Sequence, residues 1–190
     1  MQERRGDAAM KIDPLPIAAG LVIGGLVHLT TVLALPRLAL EDAHARIERL
    51  GPANQVYLIP APTPFEAVLP RLDPSFAHAV CRYDLRDTPL RLTIPLASDY
   101  LSVSFYTRHG LPFYALNDRA ASQRTIDLQL MTAAQRAALP RDEEITAADR
   151  LIVESPSEEG IVLVRAFVRE KGVQDAVEAR LKEARCGPVT

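Results

Sequence analysis

Cysteine is scarce in this chain. Cys81 and Cys186 are the only two, so thiols alone can build neither a CxxC redox pair nor a four-ligand zinc site. Blocks of one charge are missing as well. The 22 basic side chains stand against 24 acidic ones, and no Lys/Arg run interleaved with aromatics tracks a phosphate backbone, which argues against nucleic acid as a partner. Lysine is rarer than arginine, a bias that GC-rich coding produces as readily as anion recognition does. The familiar catalytic signatures are also absent: G-x-S-x-G, G-x-x-x-x-G-K-[ST], H-E-x-x-H and G-x-G-x-x-G do not occur. That excludes common enzyme classes, though not sites assembled from distant residues. His78 and His109 lack any close ligand spacing, so neither a metal site nor a cofactor is expected.

What the chain does have is one long apolar run. From Pro14 to Pro36, 23 residues pass without Asp, Glu, Lys or Arg. As a helix they span roughly 34 Å, enough for a hydrocarbon core of about 30 Å. A cleaved signal peptide is the main competitor, with Arg4, Arg5 and Lys11 as its basic region; the run exceeds a signal h-region of roughly 7–15 residues and lacks a clear A-x-A site. A buried core helix would carry some polar face. Residues 14–36 are therefore read as a transmembrane helix in contact with lipid, after a short tail, 1–13. Arg4, Arg5 and Lys11 are balanced by Arg37, Arg46 and Arg49 on the other side, so charge alone does not orient it. Gly20 and Gly24 form a G-x-x-x-G with His28 on the same face, a surface for helix association. A neutral His28 bonded to a carbonyl one turn away is its ordinary explanation.

Residues 37–74 read as a juxtamembrane helix followed by a Pro-rich connector. RLALEDAHARIERLG carries a helical pattern ending at Gly51-Pro52, with Pro36 expected to kink or break the helix before it. ANQVYLIPAPTPFEAVLPRLDP is expected to be extended, with little regular structure. From residue 75 to 190 the chain reads as mainly β, an antiparallel sandwich or small barrel. Seven strands are expected at 79–85, 90–96, 101–108, 112–117, 125–131, 151–156 and 161–168. Leu101, Val103 and Phe105 should face the core, with Ser102 and Ser104 to solvent. A short helix is expected over 132–140, closed by Pro140, and a terminal helix over 173–185 docked on the sheet.

Chemistry concentrates in CRYDLRDTP and SFYTRHGLPFYALNDR. If their strands are neighbours, Tyr83, Asp84, Asp87, Tyr106, Arg108, His109, Tyr114, Asn117 and Arg119 share one end of the sheet and form a binding site. Turn formers, amphipathic strand tyrosines and a solvated arginine rim explain the same residues without a site. Arg165 interrupts the apolar run IVLVRAFV; pointing inward it needs a partner, and outward is the safer assignment. Cys81 and Cys186 are either two unrelated buried thiols or, in an oxidising compartment, a disulfide closing a loop of just over a hundred residues, stabilising by roughly 4–5 kcal/mol.

The stretch DPSFAHAVCRYDLRDTPLRLTIPLASDYLSVSFYTRHGLPFYALNDRAA, and later DRLIVESPSEEGIVLVRAFV, resembles the bacterial domain of unknown function 1254 family over roughly residues 50–185. Its short members have a membrane helix with G-G-x-x-H, seen here as Gly24, Gly25 and His28. The resemblance implies a β-rich fold tethered at the inner membrane with the domain in the periplasm, and no settled catalytic residues. It also implies a separately encoded companion of the domain of unknown function 1214 family. The expectation is thus a membrane-anchored binding or scaffold module of the cell envelope; the alternative is an envelope hydrolase with a site between Tyr83 and Arg119.

Overall fold

The computed structural model describes residues 13–38, 42–61, 63, 67–97, 100–139 and 151–189. The tail up to residue 12, with its three basic residues, and Pro140 lie outside them. The chain divides into an N-terminal unit ending at Ala39 and a domain beginning at Leu40.

In the first unit, α1 (Pro14–Leu38) starts where Asp13 accepts a hydrogen bond from the Leu15 N–H at 3.1 Å, with Pro14 in the first turn, where its missing N–H costs nothing. It is long and apolar enough to cross a membrane. Thr30 and Thr31 donate their hydroxyls to the Leu26 and Val27 carbonyls, each at 2.8 Å, which satisfies both within the helix. The helix runs through Pro36, correcting the expected break there.

The domain is a two-sheet sandwich. Its strands are β1 (Val56–Ile59), β2 (Phe76–Asp84), β3 (Leu90–Pro95), β4 (Leu101–Thr107), β5 (Pro112–Asn117), β6 (Thr125–Thr132), β7 (Leu151–Ser155), β8 (Glu159–Phe167) and β9 (Arg185–Pro188). Sheet one has the order β1-β2-β8-β4-β5 and sheet two β7-β6-β3-β9. All pairs are antiparallel except β6 with β7, which run parallel. Two of these strands depart from the sequence reading. β1 lies within the segment expected to lack regular structure and pairs with β2 from Val56↔Cys81 to Ile59↔His78. β9 follows a terminal helix shorter than expected and pairs with β3.

Period-two alternation builds the core. Ala79, Cys81 and Tyr83 of β2, Leu101, Val103 and Phe105 of β4, and Val162 and Val164 of β8 face Leu90, Leu92, Ile94, Ile126, Leu128 and Leu130 of the second sheet. At about 1.5–3 kcal/mol for each large apolar side chain removed from water, this layer is the main stabilising term. The disulfide Cys81–Cys186 joins the two sheets inside it. So does the Tyr83 hydroxyl, which meets Ser155 Oγ at 3.0 Å and donates towards the Tyr106 carbonyl at 3.2 Å. Tyr83 reaches them by passing over Gly160, where any Cβ would collide with the Tyr83 hydroxyl and the Tyr106 carbonyl oxygen.

Sheet one also buries part of its outer face. The juxtamembrane helix shrinks to α2 (Ala43–Glu48), begun by Asp42, whose carboxylate accepts from the Ala45 N–H at 2.8 Å. Gly51, at a φ of 152°, follows it. Ile47 of α2 is buried with Ile59, Leu69, Val80 and Ile161 in a second cluster. This second layer explains why Val80 of β2 and Ile161 and Leu163 of β8 are apolar although they lie on the outer face. α3 (Ala133–Ala137) is closed at its start by reciprocal bonds between Thr132 and Gln135, and α4 (Gln174–Leu181) docks Val177 and Leu181 onto the main core.

Candidate functional site

The nine polar residues singled out from the sequence separate into different environments. Tyr83 is turned into the core, where burial pushes its phenol above the ordinary value against the opposing bonds from Ser155 and Ser157. Asp84 is held by the Arg86 guanidinium in the turn after β2, and that bond keeps its carboxyl below the usual range. Asp87 and His109 are exposed turn residues, and Arg119 is an exposed residue of the 3₁₀ turn after β5. Tyr106 packs against the second cluster, and Tyr114 lies on Phe105, ring centroids 5.9 Å apart.

Arg108 donates to Asp42 at 2.9 Å and so fastens α2 to the end of β4. Around it, His44 is 4% exposed with neither ring nitrogen partnered. Desolvation, then Arg108 and Arg82, hold its imidazole below the ordinary pKa. Arg82 reaches Glu48 of α2 at 3.7 Å. This group is a structural clamp: it attaches a helix to a sheet and leaves little open surface.

Asn117 stands at the other end. Ser102, its register partner, and Arg108 are separated by roughly 20 Å of strand at about 3.3 Å per residue. The expected single cluster between Tyr83 and Arg119 therefore does not form.

A different set converges instead. Register aligns Ile59, His78, Arg165, Ser102 and Asn117 in one row across the outer face of sheet one. On the β8-β4-β5 part of that face lies a recess of about 350 Å³ lined by Tyr100, Ser102, Ser104, Ala115, Leu116, Asn117 and Arg165. Ser102 and Ser104 are each 6% exposed, correcting the expectation that they face solvent. Ser102 Oγ and Arg165 Nε are buried without a hydrogen-bond partner. A buried polar atom without a partner costs about 1–3 kcal/mol, so this arrangement favours an added acceptor. Arg165 points outward. His78 is buried beside it, and desolvation followed by the Arg165 charge holds its imidazole below the ordinary value.

Two further depressions are larger. One, of about 580 Å³, lies between the end of β8 and α4; another, of about 610 Å³, borders β9 and the disulfide. Neither contains a buried polar atom without a partner among the described residues. Among those residues no three His, Cys, Asp or Glu side chains gather closely enough to hold a metal ion.

Of the recess residues, only Asn117 was singled out from the sequence for binding. The available signals were the arginine inside IVLVRAFV and the serines alternating in LSVSF, both of which also fit a solvated sheet face.

A family model described as "Protein of unknown function (DUF1254)" matches residues 52–188. The VPA0106 protein from Vibrio parahaemolyticus has a similar fold: its crystal structure superposes with a TM-score of 0.56 at 11% identity, over 78% of this chain and 35% of that one. A putative uncharacterized protein from Burkholderia cenocepacia gives a TM-score of 0.47 at 18% identity, over 97% of this chain and 45% of that one. The chain thus spans less than half the length of either solved structure. No curated protein matches it.

Proposed function

The chain belongs to the DUF1254 family, and we propose that it is a membrane-tethered binding module of the bacterial cell envelope that acts with a companion protein. The observation that carries this reading is the state of α1. None of its apolar span is buried within the chain, and Leu21 and Leu33 are 74% and 73% exposed. Such a surface is stable only against lipid or another helix. Gly20 and Gly24 leave open space on the helix, and with His28 they form the face on which a partner helix would approach. The Cys81–Cys186 disulfide supports an oxidising compartment, hence the inner membrane with the domain in the periplasm and the N-terminus cytoplasmic. The companion is of the domain of unknown function 1214 family. No specific observation favours the hydrolase alternative.

The test uses the full-length protein tagged at its C-terminus. It should resist alkaline carbonate extraction, and protease added to spheroplasts should digest its domain. Release by carbonate would overturn the tether, and protection from protease would reverse the orientation. In mild detergent, Gly20→Ile combined with Gly24→Ile should lower recovery of a co-purifying partner several-fold. Undiminished recovery would remove the interface from the helix.

A further inference from the structure

We propose that the recess on the outer face of sheet one is a binding site for the carboxylate of a small organic acid, with Arg165 as its anion anchor and Ser102, Ser104 and Asn117 as its polar wall. Three features of the recess lead there, and none depends on the membrane tether.

The first is charge. Among the described residues, Arg165 makes no ion pair and no carboxylate lines the recess. Most other described arginines near strand ends are matched, as Arg91 is by Asp127 at 2.9 Å and Arg108 by Asp42 at 2.9 Å. A guanidinium half-buried in mid-strand with no counter-charge is an open demand for an anion.

The second is unused hydrogen-bonding capacity. Ser102 is 94% buried by the complement of its 6% exposure, it lines the recess, and its hydroxyl has no partner. The Asn117 carbonyl oxygen accepts from the Arg119 N–H at 3.2 Å, and its NH₂ adds donors to the wall. The wall is therefore donor-rich, which selects an acceptor-rich ligand.

The third is size and charge count. About 350 Å³ sits at the small end of ligand pockets, which run from roughly 300 to 1,000 Å³. One guanidinium balances one negative charge; burial, and after it the Arg165 charge, lowers the pKa of His78 beside it. A monoanionic carboxylate fits that balance, whereas a phosphate dianion lacks its second cation.

The test is equilibrium binding of benzoate to the full-length protein in neutral detergent, followed by ligand-observed NMR, with benzamide as the uncharged isostere and inorganic phosphate as the dianion. Saturable benzoate binding that benzamide fails to reproduce and that Arg165→Gln weakens at least tenfold is the expected result. Asn117→Asp provides a second variant on the edge strand. It keeps the oxygen that caps the 3₁₀ turn and places a carboxylate on the recess, about 10 Å of sheet from Arg165 at roughly 4.8 Å per strand; it should likewise weaken benzoate at least tenfold by competing for the guanidinium. Equal binding of benzoate and benzamide, or benzoate affinity unchanged in Asn117→Asp, overturns the proposal. Phosphate binding more tightly than benzoate overturns the carboxylate assignment, and no saturable binding up to 50 mM (about 2 kcal/mol of affinity at most) overturns the site.

Discussion

The hydroxyl of Tyr83 lies 3.0 Å from Ser155 Oγ, joining β2 of one sheet to β7 of the other. A tyrosine that sequence position alone would assign to a binding site is a strut across the sandwich. Its ring occupies the space that Gly160 leaves by having no Cβ.

Tyr83→Phe should therefore lower unfolding free energy by about 1–2 kcal/mol, the net worth of a buried hydroxyl network. Gly160→Ala should cost more, about 1–3 kcal/mol, because a backbone carbonyl as well as the phenol stands in the way. Urea unfolding of both variants and of their combination checks this. If alanine at 160 became harmless once the hydroxyl was removed, the Tyr106 carbonyl would not be the obstacle.

Cys81 and Cys186 are 2% and 7% exposed, so a reductant should reach the bond only when the domain opens. Replacing both with alanine should destabilise by roughly 4 kcal/mol for a loop of this length. Native-state reduction should be slow and should speed up with urea. Rapid loss of the bond to mild reductant without denaturant would contradict this placement.

Stability should fall as pH drops below about 6.5. His44 and His78 have folded pKa values held below the unfolded one, by desolvation first and by neighbouring arginines second. The unfolded chain then binds more protons, so stability is complete above the unfolded pKa and is lost as pH falls towards the folded values. Asp42 and Asp84, whose carboxyls are also held below the ordinary aspartate range, act only in more acidic solution. Urea midpoints at pH 7.5 and 5.5 measure the effect, and His44→Leu should flatten the slope between them. An unchanged slope would mean that α2 lifts away before His44 is protonated.

Asp42 both starts α2 and holds Arg108. Asp42→Ala should cost about 1–2 kcal/mol, most of it the cap, since the ion pair is partly exposed. Hydrogen exchange should rise in residues 43–48 before it rises in β3 or β6. Uniform loss of protection across the domain would show that α2 is no separate unit of stability.

The apolar span, the β character of the domain and the inward side of β4 and β6 were legible in the sequence because each depends on local periodicity. Charge-free length marks α1, and period two marks Leu101, Val103 and Phe105. The short strands were not legible. β1 and β9 have four residues each and sit among prolines and glycine, where local propensity favours an extended coil; pairing with β2 and β3 makes them strands. Tertiary structure alone decided the site. Tyr83 and Arg119 bound the chain's polar stretch yet serve a core strut and an exposed turn, while Arg165 and Ser102, 63 positions apart, become cross-strand neighbours. A strand pattern states which residues share a face, but sheet order and register determine which of them meet, and those depend on contacts between segments far apart in sequence.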